Sequence, residues 1–227
     1  AMTFEKTKYL KGSDQAKTRI VGMPVRDAVV EAVQPYRGRS GADPFDLLVF
    51  GGSQGARVFA DIVPEALAGL PQALRARLRV VQQVREEDMT RVRPIYDGAG
   101  IKAELATFFA DLPERMTHAH LVIGRAGAST VAELTVLGRP AILVPLPHAI
   151  DNDQLENATR LQEVGGAWCI EQSSFTPERL REEINRLAGS DDVLEQAAQS
   201  AAAIGQPNAV ARLADVIEDL MRGPAGA

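Results

Sequence analysis

The sequence predicts an α/β fold, a parallel sheet with helices flanking it, and three observations carry that prediction. Short runs of Val, Leu and Ile alternate with longer amphipathic stretches from residue 45 onward. The junctions between them are rich in glycine. The amphipathic stretches are about 10 to 15 residues long, which is the spacing of βαβ units.

FDLLVF (45–50) is the first strand, an unbroken apolar run suited to burial on both faces. The turn GGSQGA leads into a helix over 57–68, and RLRVVQQV (77–84) is the second strand. The charged stretch 86–96 reads as a helix, IKAELATF (101–108) as the third strand, 113–118 as a short helix and HLVIG (120–124) as the fourth strand. A helix over GASTVAELTVLG (127–138) precedes the strand PAILVPL (140–146). DNDQLENATRLQEVG (151–165) has apolar residues at helical spacing, AWCIE (167–171) is a last short strand, and helices over 176–188, 191–204 and 207–221 follow. PYRGRSGADP (35–44) reads as a surface loop and GPAGA (223–227) as a disordered tail.

Composition narrows the function classes. The chain has 227 residues, 45% apolar and 24% charged, enough apolar material for a sizeable core and a length that fits one large domain or one domain plus a fragment. Cys169 is the single cysteine, so no internal disulfide is expected. His118, His120 and His148 are too few and scattered for a metal site, and none is expected. No apolar run approaches the roughly 18 to 20 residues of a membrane span, and AMTFEKTKYLKGSD lacks the apolar stretch of a signal peptide, so the expected location is the cytosol or the periphery of a membrane. Residues 1–40 carry a net charge of +4 and residues 41–227 a net −9. A basic leader on an acidic body argues against a general nucleic-acid binder and leaves room for a local phosphate or lipid-headgroup contact.

Ligands of open α/β sheets sit outside the carboxyl ends of the strands, and four junctions occupy such positions. In VFGGSQGA (49–56), Gly51, Gly52 and Gly55 let backbone N–H groups converge, Ser53 adds a hydroxyl, and the following helix start adds partial positive charge; the turn suits a phosphate. It is neither a P-loop nor GxGxxG, and alone it reads equally well as a packing turn. GRAGASTVAEL (124–134) repeats the pattern, with Glu133 in the second helical turn. In isolation Glu133 is a solvated helix charge or a local cap; at the end of a strand it can accept both hydroxyls of a ribose. In VPLPHAIDNDQLENA (144–158), Asp151, Asn152 and Asp153 are capping candidates, while Gln154 and Asn157 share a helix face with amides suited to sugar hydroxyls. His148 is a possible partner there, although a lone loop histidine is more often structural. In VGMPVRD (21–27), proline fixes an extended turn and Arg26 can pair with phosphate, its default reading being a plain surface arginine.

GMPVR, GGSQGA, FFADLPERMTHAHLVIGRAGASTVAEL and PLPHAIDNDQLENA occur in the order and spacing of the MurG family, which the chain resembles from Thr3 to Met221. Members of that family are peptidoglycan glycosyltransferases that move N-acetylglucosamine from UDP-N-acetylglucosamine to lipid I, making lipid II. The resemblance covers the C-terminal, donor-binding half of a two-domain (GT-B) architecture and implies a Rossmann-like domain. It implies that Arg26 and Ser53 face the donor diphosphate, that Phe109 and Ala110 frame the uracil at an exposed strand end, and that Ala128, Ser129 and Thr130 form the helix start facing the diphosphate. By the same resemblance Glu133 holds the ribose and Gln154, with Asp153 beside it, the sugar hydroxyls, over the supporting glycine turns Gly51, Gly52, Gly55 and Gly127. Met23 stands where the family usually carries asparagine.

On this resemblance the transfer is inverting and independent of metal or other cofactors, and the catalytic base lies in an N-terminal half with no counterpart here. The expected division is an inter-domain connection over 1–40, a UDP-sugar-binding domain over 41–206, and over 207–227 a helix that packs on the other half, followed by the tail. The expected ligands are UDP-N-acetylglucosamine and, through the other half, lipid I, with no nucleic acid. The expected place is the cytoplasmic face of the bacterial inner membrane, peripherally, with this chain alone soluble and inactive. The alternative is a non-catalytic nucleotide-sugar-binding subunit that needs a separate acceptor-binding chain. A sugar-nucleotide epimerase on the same architecture is disfavoured because its carboxylate and histidine set is not apparent.

Overall fold

Six parallel strands lie in the order β3-β2-β1-β4-β5-β6. A computed structural model describes residues 1–3, 12–40, 43–52, 56–147 and 152–222. After a 3-10 turn (Gly12–Lys17) and a short helix α1 (Asp27–Glu31) come β1 (Phe45–Phe50), α2 (Arg57–Ala68), α3 (Gln72–Arg75), β2 (Leu78–Gln83), α4 (Glu86–Gly98) and β3 (Lys102–Ala106). The second half runs α5 (Leu112–His118), β4 (Leu121–Gly124), α6 (Ala128–Leu137), β5 (Ala141–Leu143), α7 (Asp153–Glu163) and β6 (Ala167–Cys169). A 3-10 turn (Gln172–Ser174), α8 (Pro177–Ala188), α9 (Asp191–Ala203) and α10 (Ala209–Arg222) follow. All six predicted strands are present, several shorter than read: β5 stops at Leu143, just before the donor-less Pro145 and Pro147.

The central strands are apolar throughout because both their faces are covered. Leu47, Val49, Leu121 and Ile123 pack under α2, α4 and α8, while Leu48, Phe50 and Val122 pack under α1, α5, α6 and α7. Each such side chain, fully buried, contributes roughly 1.5–3 kcal/mol. Helix α6 ends on Gly138, whose φ of 63° is the left-handed conformation of a helix stop, and a Cβ there would lie 3.0 Å from that of Ala202.

The leading segment, read as a connection, is bound to the domain along residues 26–39. Arg139 directs this docking. It is 1% exposed and donates hydrogen bonds to the carbonyls of Thr117 (2.8 Å), Leu137 (2.8 Å), Gly138 (3.0 Å) and Gln34 (3.0 Å). Burial pushes its pKa down to about 10, which still leaves it cationic at neutral pH. Thr117 donates to the carbonyl of Ala32 (2.9 Å), Tyr36 to that of His120 (3.1 Å), and Arg39 to that of Ala188 (2.7 Å) while pairing with Asp191. Among the described residues no helix is long and apolar enough to cross a membrane. The tail 223–227 lies outside the described residues.

Two outcomes follow for stability. Arg139→Leu strips donors from four carbonyls at once and is expected to cost about 3 kcal/mol, read as a lower urea midpoint. His120 Nδ1 accepts from the Asp46 N–H (2.9 Å), and burial holds the imidazole pKa below its ordinary value, with the Asp46 carboxylate at 3.4 Å offsetting this in part. The unfolded chain therefore binds a proton that the folded one does not, and stability should fall as pH drops through the window from ~6.5 down to the lower folded-state pKa. Thermal unfolding across that window should show the decline, and His120→Asn, which keeps an acceptor but cannot titrate, should flatten it.

Candidate functional site

The chain leaves β1 toward α2 on one face of the sheet and leaves β4 toward α6 on the other. Because β1 and β4 are neighbours, their outgoing loops diverge and open a crevice at the carboxyl edge. A cavity of about 340 Å³ lies there. Phe50 and Gly52 reach it from β1, Gln83 from β2, and Phe108, Phe109 and Leu112 from the β3–α5 loop. Ser129, Thr130 and Glu133 line it from α6, and Pro24, Val25 and Arg26 close it from the leader.

One helix start lines the crevice without a side-chain cap. The N-cap of α6 is Gly127, which makes no side-chain cap bond, so the first amides of that helix keep their partial positive charge for a ligand. Ser129 is exposed and Thr130 half-buried on the first turn of α6. Ala128 lines a second groove, of about 510 Å³, on the far side of α6 and does not line the cavity. Gly52 has φ +87°, a conformation that favours glycine.

Arg26 and Glu133 meet directly: Arg26 Nε donates to Glu133 Oε1 at 3.0 Å. Glu133, expected on a surface-facing turn, is 7% exposed. The reason is that α6 is a core helix, packed by α1, α5, α7 and α9, and the leader crosses over its second turn. Arg26, with 55% of its side chain exposed, is the half of the pair that is free to move.

The residues expected to frame a uracil also depart from expectation. Strand β3 stops at Ala106, and the segment after it is a loop with Phe108 68% exposed and Phe109 buried. Phe109 is covered by the Arg115 guanidinium, 4.4 Å from its ring centroid, which Glu104 (2.9 Å) and Asp111 (2.8 Å) hold in place. Ala110 is exposed beside it.

Gln154 is expected to offer its amide to sugar hydroxyls. It is half-buried, and its Oε1 accepts from the Leu146 N–H (3.0 Å), folding the β5–α7 loop back on its own helix. It does not line the cavity. Asn157 is buried and donates to the carbonyl of Ala126 (3.1 Å), fixing the approach to α6. Asn152 is the N-cap of α7 with φ 52° and makes no side-chain cap bond, and Asp153 is the first helical residue. Ser53, Gly55, His148 and Asp151 lie outside the described residues. Among the described residues no group of three or more His, Cys, Asp or Glu could hold a metal ion.

Two residues escaped the sequence reading. Arg125, at the end of β4, donates to the carbonyls of Val144 (3.0 Å) and Pro145 (3.1 Å) and to Gln172 Oε1 (2.7 Å), and burial lowers its pKa. Gln83 is a buried amide at the end of β2 that touches the cavity. The available signal was the pair of amides in the otherwise apolar strand RVVQQV.

The family model described as "Glycosyltransferase family 28 C-terminal domain" matches residues 46–218. A relative from Paramagnetospirillum magneticum is 47% identical over 228 residues, spanning 100% of this chain and 62% of its own length. One from Rhodospirillum rubrum is 52% identical over 223 residues, spanning 96% and 56%. Both are named UDP-N-acetylglucosamine--N-acetylmuramyl-(pentapeptide) pyrophosphoryl-undecaprenol N-acetylglucosamine transferase. The crystal structure of Acinetobacter baumannii MurG superposes with a TM-score of 0.72 at 30% identity, over 82% of this chain and 55% of that one. The chain thus spans about 56 to 62% of the length of these curated relatives.

The turn itself can be tested without a ligand. Among the described residues a Cβ on Gly52 would meet no atom within 4 Å, so Gly52→Ala should cost only the strain of φ +87°. A loss of about 1 kcal/mol in urea unfolding is expected.

Proposed function

This chain belongs to the glycosyltransferase family 28 C-terminal domain family, and we propose on that premise that it is the donor-binding half of a transferase acting in peptidoglycan synthesis. The observation that carries the reading is the cavity at the β1/β4 divergence, where an uncapped helix start and Gly52 meet a buried carboxylate and an exposed arginine. The helix start and Arg26 suit a diphosphate, Glu133 suits the hydroxyls of a ribose, and the Phe108–Phe109 loop suits a base. The donor is UDP-N-acetylglucosamine, and the family resemblance assigns Ser53 to its diphosphate and Gln154, which lies outside the cavity lining, to its sugar.

The Arg26–Glu133 pair gives the reading a physical sequence. A ribose that takes the Glu133 carboxylate releases the guanidinium, which then turns to the diphosphate one step away. Transfer to an acceptor hydroxyl builds negative charge on the departing UDP, and that charge meets preorganised amides and the freed arginine. The acceptor, lipid I, and the base that takes its proton belong to the other part of the longer protein, at the cytoplasmic face of the membrane. The chain alone binds donor without turning over lipid I. Helix α10 supports a second body: Val210 (52%), Ile217 (51%), Leu220 (77%) and Met221 (82%) are exposed along it, a stripe suited to packing on a neighbouring domain.

Calorimetric titration with UDP and UDP-N-acetylglucosamine tests the reading. Both should bind, with affinity falling as salt rises, and no heat for either would remove it. Glu133→Gln should weaken UDP about tenfold, the worth of one charge-assisted hydrogen bond, and should leave a 2′,3′-dideoxyribose analogue of UDP nearly unaffected.

A further inference from the structure

We propose that Gln83 is the positioning residue of this cavity: its amide sets the separation between the turn after β1 and the loop after β3, and with it the span available to a nucleoside diphosphate. The inference rests on the donor-site reading above. Gln83 Oε1 accepts from the Gly51 N–H at 3.1 Å, and Nε2 donates to the carbonyl of Thr107 at 3.1 Å. Gly51 leads into Gly52 at one end of the cavity, and Thr107 leads into Phe108 and Phe109 at the other.

Among the described residues no backbone ladder ties these loops together. The β1–β2 register ends at Val49↔Gln82 and the β2–β3 register at Gln83↔Ala106, with the Val84 N–H to Ala106 carbonyl bond (2.9 Å) the last rung. Gln83 therefore makes the first cross-link beyond the end of the sheet. It is 7% exposed, so water does not compete for its two bonds. Its neighbour Gln82 points to the opposite face, where the amide serves Phe59 and Tyr96 in the core. An amide suits the task because one end accepts while the other donates. A leucine of similar size does neither, and an ionised glutamate only accepts.

The experiment is UDP titration of the wild type, Gln83→Leu and Gln83→Glu across the range from about pH 8 to about pH 5. Gln83→Leu should bind roughly tenfold more weakly than wild type at every pH, the equivalent of one buried hydrogen bond. Gln83→Glu separates positioning from packing. Ionised, it repels the Thr107 carbonyl; protonated, its hydroxyl donates there and the wild-type pattern returns.

Its affinity relative to wild type at the same pH should therefore rise about tenfold toward pH 5, since burial beside a carbonyl raises the carboxyl pKa into this range. Taking the ratio cancels the titration of the terminal phosphate of UDP itself, near pKa ~6. A ratio that stays flat with pH, or a Gln83→Leu that binds like wild type, overturns the inference. If thermal unfolding shows Gln83→Leu to be unfolded, the ratio for Gln83→Glu decides alone. Failure of the wild type to bind UDP would instead overturn the donor-site reading.

Discussion

One guanidinium that never reaches water, that of Arg139, organises this molecule. Among the described residues its charge is matched by carbonyl dipoles and no carboxylate, so its energy depends on having several carbonyls arranged about it at once. Those carbonyls come from the end of α5, the end of α6 and the leader, three pieces distant in sequence. Their convergence holds the leader against α6, and the crossing of the leader over α6 is what buries Glu133. The electrostatics at the cavity thus trace back to a side chain that does not line it.

The proposed ligand is an anion although the body of the chain is acidic. Net charge is a poor guide here because the attractive elements are backbone amides at a helix start, which no count of side chains registers. The one carboxylate in the wall is neutralised by Arg26, so an arriving ligand meets no bare negative charge. What it meets is an ion pair, which on the proposed reading divides, one half serving hydroxyls and the other phosphate.

Much of this was legible in the sequence. FDLLVF, LVIG and AILV read as buried strands because nothing in a parallel sheet faces water, and the glycine turns and the helix start at Ala128 follow from local chemistry that acts within a few residues. Helix α1 and the burial of Phe109 and Glu133 were not legible. Each depends on partners from other elements: Arg115 lies over Phe109, and the leader lies over α6 from more than 100 residues away in sequence. Gln154 shows the same limit, since its partner is a backbone N–H in a loop whose course no local pattern specifies. Gln83 and Arg125 went unread because a polar residue near a strand end has many uses, and only the three-dimensional arrangement of loop carbonyls selects one.

The leader has a consequence for where this module starts. The family model begins at residue 46, at the first strand, although the curated relatives match the preceding residues as well. Yet Pro24, Val25 and Arg26 form a wall of the cavity, and Gln34 supplies one of the acceptors that Arg139 requires. A piece cut at the boundary of the family model would retain all six strands and still be an open half-shell, with a buried acid laid bare and a buried cation short of a partner. The unit that folds as a sheet and the unit that grips a ligand therefore have different first residues.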